Sequence, residues 1–134
     1  MAVNTKTEYA LRILIELAGG GRMSAQKICE AQKLPKKYIE HLMALLKSAH
    51  IVQSTTGSKG GYSLTRAPKD ISFAHVLAAV EDNSFDASCE VGSARFCLGE
   101  ECKLTYFFHA LNDKILAVLE AYTLADILKI WNKG

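Results

Sequence analysis

A glycine-rich tip, Gly57-Ser58-Lys59-Gly60-Gly61, lies between two short runs of strand composition, Ile51-Val52-Gln53-Ser54-Thr55 and Tyr62-Ser63-Leu64-Thr65. β-Branched and aromatic residues suit a pleated surface, and glycines allow the tight reversal between them, so the segment reads as a β-hairpin. It follows directly on a helical pattern with a polar, basic outer face. That order confines the chain to a mainly α fold with a small β-hairpin attached to a helix pair.

Start and stop signals bound the helices before the hairpin. Thr5-Lys6-Thr7-Glu8 has the form of a capping box, in which the Thr5 hydroxyl and the Glu8 carboxylate each satisfy a backbone donor. Ala10, Leu14, Leu17 and Ala18 follow at helical spacing, so a first helix is expected from about Thr5 to Ala18, ended by Gly19-Gly20-Gly21. Ser24 caps a short second helix with Ala25, Ile28 and Cys29 on one face, which makes Cys29 a buried packing residue. Pro35 then stands at a first helical position, and a third helix runs to about Ser48. Its apolar Ile39, Leu42, Met43, Leu45 and Leu46 face inward, leaving Lys36, Lys37, Glu40, His41, Ala44 and Lys47 outward. Helix pair and hairpin together have the form of a winged helix-turn-helix. In that arrangement Lys36, Lys37 and His41 reach phosphates or purine edges, Glu40 accepts from cytosine N4, and Lys59 contacts phosphate or the minor groove. The competing reading is a solvated helix face with surplus lysines.

A fourth helix is expected from about Ser72 to Val80, and the longest from about Lys103 to Tyr122. Along the latter, Leu104, Phe107, Phe108, Leu111, Ile115, Val118, Leu119 and Tyr122 form an i, i+3, i+4, i+7 stripe on a rod of roughly 30 Å. A rod so apolar, projecting from a small domain, needs a partner, and a second copy of the chain is the expected one. Thr123-Leu124-Ala125-Asp126 opens a short final helix with its own capping pair. The expected organisation is a winged helix-turn-helix DNA-binding domain over 1–82, a cysteine-bearing loop over 83–102, and a dimerisation helix with a short terminal helix over 103–134.

Charge is segregated along the chain. Residues 1–66 hold ten Lys/Arg against four Asp/Glu, and residues 67–134 hold six against ten, giving +6 and −4. A basic half suits a polyanion such as double-stranded DNA, and so would a merely solvated surface. No apolar run approaches the roughly 20 residues that span a bilayer, and the N-terminus lacks a secretory layout, so the protein is expected in the cytoplasm with no membrane role. That compartment is reducing, which makes Cys89-x7-Cys97-x4-Cys102 free thiols or metal ligands in place of disulfides. Gly92 and Gly99 let such a loop fold around one centre. On spacing alone an iron-sulfur cluster, zinc and redox thiols are equal alternatives. Walker A, G-x-S-x-G and H-E-x-x-H patterns are all missing from the sequence, so it is not expected to be an enzyme.

Taken in order, Tyr9-Ala10-Leu11-Arg12, Tyr38-Ile39-Glu40-His41-Leu42, the Gly57 to Leu64 wing, Val80-Glu81, the cysteine triplet and Thr123-Leu124-Ala125-Asp126 make a specific pattern. It resembles the bacterial winged-helix iron-sulfur repressor family of IscR, NsrR and RirA, from about residue 3 to residue 130. The resemblance implies a homodimer on a palindromic operator, with Lys36, Lys37, Tyr38, Glu40, His41 and Lys59 at the DNA. It also implies an iron-sulfur cluster, 4Fe-4S or 2Fe-2S, held by Cys89, Cys97 and Cys102 and setting DNA affinity in response to iron, redox state or nitric oxide. A cluster-free thiol-redox or zinc-responsive regulator is the alternative. Three positions depart from the family pattern: Thr56 replaces a common arginine before the wing, the cysteine gaps differ from the usual five and five, and Thr105 stands where IscR-like members place a histidine. Glu8 occupies the position at which NsrR-like members supply a carboxylate from the opposite subunit, and the resemblance makes it the candidate fourth ligand. The competing role for Glu8 is its capping box; His109 is assigned to packing at the dimer helix.

Overall fold

The computed structural model describes residues 4–87 and 103–134. Elements follow in the order α1 (Thr5–Ala18), α2 (Ala25–Gln32), α3 (Lys36–Ser48), β1 (Val52–Thr55), β2 (Gly61–Leu64), a 3-10 turn (Pro68–Asp70), α4 (Phe73–Ala79), α5 (Leu104–Ala121) and α6 (Leu124–Lys133). The apolar stripes read from the sequence meet in one core. Ala10, Ile13, Leu14 and Leu17 of α1 lie against Ile28 of α2 and against Ile39, Leu42, Met43 and Leu46 of α3, closed by Ile51, Val52, Ile71, Val76, Val80 and Leu124. Each helix contributes positions three or four apart because only such residues share a face.

Helix α1 has the expected span but a different cap, and α3, α4 and α5 each begin one residue later than expected. Asn4 caps α1, its side-chain oxygen accepting from the Lys6 N–H at 2.9 Å, while Thr5 is already helical. Asn is at least as good a cap as Thr, and with Asn4 as the cap the third helical position is Thr7, so Glu8 takes no part in a capping box. Pro35 likewise lies just before α3 in an extended conformation, so the helix begins at Lys36. Ser72 also precedes its helix, where it forms a reciprocal capping box with His75. The Thr123 and Asp126 pair opens α6 as expected.

The hairpin is antiparallel, with Val52 opposite Leu64 and Thr55 opposite Gly61, so Gly61 belongs to β2 and the tip is Thr56 to Gly60. A third, one-residue strand completes it: Met23, between α1 and α2, exchanges backbone hydrogen bonds of 3.0 and 2.8 Å with Tyr62. Gly61 makes that approach possible, since a Cβ there would lie 2.8 Å from the Met23 carbonyl oxygen. The wing is thereby joined to the loop that leads into α2.

At the other side of the core α5 packs along α4. None of its side chains is buried; Leu104, Phe107 and Val118 are 61, 57 and 55% exposed, and Tyr122 just past its end is 50% exposed. The start of α6 returns to the core, where Leu124 N–H donates to the Ile71 carbonyl and Phe73 N–H to that of Tyr122, both at 2.8 Å.

A buried carboxylate ties α1 to the segment that follows α4. Asp82, 7% exposed, accepts from the Thr7 hydroxyl at 2.5 Å and from the backbone and hydroxyl of Ser84. Burial pushes its pKa up, but the donors of Ser84, Thr7 and Asn4 outweigh burial and hold it below the ordinary carboxylate value. Because the folded-state pKa is depressed, the stabilisation is present above the unfolded value and is lost as pH falls through the folded one. Asp82→Ala strands the buried Thr7 hydroxyl and is expected to cost about 1–3 kcal/mol. Urea titrations at neutral pH and near pH 3 check this: the gap between wild type and variant should shrink in acid.

Candidate nucleic-acid interface and sensor segment

The turn between α2 and α3 is built by a lysine in the left-handed conformation, Lys33 at φ 55°, with Leu34 N–H donating to the Cys29 carbonyl at 2.9 Å. It turns the chain so that α3 buries Ile39, Leu42, Met43 and Leu46 and leaves Lys36, Lys37, Glu40, His41, Ala44 and Lys47 exposed. Tyr38, 40% exposed, is held edge-on against Tyr9 of α1, ring centroids 5.5 Å apart at 87°. The first turn of α3 therefore presents two ammonium groups beside a fixed phenol, at the helix end whose dipole also favours anions. Lys59 is exposed at the wing tip. These are the groups that a backbone-contacting and base-reading surface requires: cations for phosphate, and Glu40 and His41 one turn on for base edges.

Cys29 is 8% exposed in the core, and burial pushes its thiol pKa up, so it stays protonated at neutral pH. Cys89, Cys97 and Cys102 lie outside the described residues. Among the described residues no three His, Cys, Asp or Glu side chains converge on a metal position. The approach to the cysteine segment is anchored twice: Asp82 is bonded to Thr7 of α1, and Ala87 N–H donates to the Asn112 side chain of α5 at 2.9 Å. Glu8, adjacent to Thr7, has a side chain 55% exposed and pairs with Arg12 one turn on at 3.2 Å. Thr105 is half-buried and His109 exposed on α5.

Arg12 is the residue that sequence reasoning passed over. Besides Glu8 it reaches the Gln32 side chain of α2 at 3.2 Å and lies over the Trp131 ring of α6. The i, i+4 spacing from Glu8 marks the ion pair; nothing local marks the other two contacts.

A family model described as an iron-dependent transcriptional regulator, Rrf2, matches residues 3–130. The chain belongs to the Rrf2 family. An HTH-type transcriptional regulator of Synechocystis sp. is 34% identical to it over 95% of this chain and 87% of its own length. An rrf2-like regulator of Rhodobacter capsulatus is 29% identical over 97% and 94%. Among solved structures, T. potens IscR aligns at 32% identity with a TM-score of 0.73, covering 96% of this chain and 87% of its own. CymR, the global cysteine regulator of B. subtilis, aligns at 28% identity and 0.74, covering 97% and 98%. Like these Rrf2 regulators, the chain has a mainly helical winged-helix fold, and it is a DNA-binding transcriptional regulator. Relatives named as regulators imply a role other than catalysis. No helix among the described residues is long and apolar enough to cross a membrane.

Proposed function

We propose that this Rrf2 regulator is a cytoplasmic homodimeric repressor that binds a palindromic operator with an affinity set by an iron-sulfur cluster. Lys36, Lys37, Tyr38, Glu40, His41 and Lys59 are its DNA contacts, and Cys89, Cys97, Cys102 and Glu8 its cluster ligands. The observation that carries the reading is the bond between Thr7 and Asp82, which joins the helix bearing Glu8 to the approach of the cysteine segment. The donor set fits: three thiolates suit an iron-sulfur cluster, and an exposed carboxylate whose partner is a half-buried arginine is available to complete four ligands. Bound there, the cluster would supply the reactivity toward oxidants, nitric oxide or iron supply.

What the chain itself does follows from α1. Glu8 takes both Arg12 bonds on Oε1, which leaves Oε2 to serve a ligand position of the opposite subunit. Tyr9, next along, touches Tyr38 at the start of the reader helix. A change at Glu8 therefore has a packed route to α3, and two reader helices must sit roughly 34 Å apart to meet successive grooves. Exposed Leu104, Phe107 and Val118 of α5, with Tyr122 just past its end, make the dimer surface, so sedimentation at micromolar concentration should show a species near twice 14.7 kDa, and a monomer there refutes it.

Because Asn4 is the cap, Glu8→Gln tests the ligand role without disturbing the helix start. The variant loses only an exposed i, i+4 pair, about 0.3–0.5 kcal/mol. It should nevertheless lose its cluster faster in air and no longer couple cluster state to DNA affinity. An unchanged spectrum and lifetime would remove Glu8 from the site.

A second reading, a cluster-free thiol- or zinc-responsive regulator, is favoured by one observation: likeness to CymR, including 27% identity and a TM-score of 0.70 to the oxidized form from Staphylococcus aureus. Anaerobic purification with iron, sulfide and zinc assays and absorption spectra separates the two. Iron and sulfide with visible absorption support the cluster; zinc, or thiols alone, support the second reading.

A further inference from the structure

Arg12 sits where α1, α2 and α6 meet. Its guanidinium carbon lies 5.6 Å from the centroid of the Trp131 ring. Nη1 donates to the Gln32 side-chain oxygen at 3.2 Å, while Nε and Nη2 donate to Glu8 at 3.4 and 3.2 Å. A guanidinium is planar, so it can rest one face on an aromatic ring and still use its in-plane N–H groups. Gln32 is engaged at both ends of its amide, since Nε2 donates to Glu16 at 2.5 Å, one turn beyond Arg12 on α1. Gln32 is also the last residue of α2, and the left-handed Lys33 after it begins the reversal into α3.

Trp131 is 44% exposed and is not among the residues packed on the core. Filling space is therefore not what the ring does; its contact with Arg12 is. For that guanidinium, the Glu8 carboxylate is a stronger acceptor than the neutral Gln32 amide, and without a ring to hold its face it would be drawn toward Glu8 and water.

We propose that Trp131 is a positioning residue for DNA reading. Stacked on Arg12, it keeps the guanidinium on Gln32, and so the C-terminal helix fixes the end of α2 from which α3 springs. The proposal rests on α3 being the DNA reader, but not on the presence of a cluster.

The test uses the full chain and a duplex that it enriches from a randomised pool, with fluorescence anisotropy on that duplex and on an unselected one. Trp131→Ala should weaken binding to the selected duplex by about three- to tenfold, the size of one cation–π interaction, with binding to the unselected duplex unchanged. Trp131→Phe keeps an aromatic face and should restore most of the loss. Gln32→Ala should add little in the Trp131→Ala background, because both act through one chain of interactions. Equal weakening on both duplexes, a Phe variant as weak as the Ala one, or fully additive losses overturns the proposal. Lys37→Ala is measured beside them. A loss with Lys37→Ala and none with Trp131→Ala overturns the positioning role alone; a loss with neither overturns the reader assignment as well.

Discussion

Serine placed singly at Cys89, Cys97 or Cys102 is expected to abolish the visible charge-transfer absorption of anaerobically purified protein, and Cys29→Ser to leave it intact. The effect is all-or-none because a serine hydroxyl does not ionise near neutral pH and is a hard donor, so a three-thiolate set reduced to two no longer holds iron and sulfide. Cys29 lies in the apolar core with a thiol that burial keeps protonated, the opposite of what a ligand needs. Its serine variant should instead lose about 1–3 kcal/mol of stability, the cost of a hydroxyl placed among apolar groups. Colour and thermal midpoint therefore respond to different cysteines. Colour surviving Cys97→Ser takes that residue out of the site, and protein that is colourless before any substitution favours the thiol or zinc reading.

What was legible in the sequence was whatever a few neighbouring residues decide. The inward faces of α1 and α3 follow from periodicity, and the Thr123 and Asp126 cap from a local pair. The hairpin was legible because strand-forming residues and glycines lie side by side, but its third strand was not. Met23 contributes a single pair of hydrogen bonds and has no alternating neighbours to announce it. The misplaced cap has the same origin. Asn4 and Thr5 are both good cap residues, and the choice between them accompanies a bond from Thr7 to Asp82, 75 residues away. The candidate site divides along the same line. Exposure of Lys36, Lys37, Glu40 and His41 follows from the 3.6-residue repeat, whereas the Tyr9 to Tyr38 contact and the meeting of Arg12, Gln32 and Trp131 depend on tertiary packing.

The proposed DNA contacts separate attraction from reading. In a dimer, Lys36→Ala with Lys37→Ala removes four cations from the interface, and each phosphate that is no longer neutralised lowers the slope of log affinity against log salt by about one. At moderate salt the double variant should bind about a hundredfold more weakly, on selected and unselected duplexes alike. Glu40 sits one turn further along the exposed face of α3 and carries the wrong sign to attract phosphate. Its carboxylate can accept from cytosine N4, an interaction worth about 1–3 kcal/mol of discrimination between bases. Glu40→Ala should therefore leave affinity for unselected DNA unchanged or raised, since a negative charge has left the phosphate surface. Enrichment from a randomised pool should then show relaxed preference at one position in each half-site, with the rest of the palindrome retained. Tyr38, its ring fixed by Tyr9, keeps the helix start in place for both variants, so neither effect is expected to come from a reader helix that has shifted. Equal losses on selected and unselected duplexes for Glu40→Ala would mean that the carboxylate only supports the helix, and base reading would then fall to His41 and the lysines.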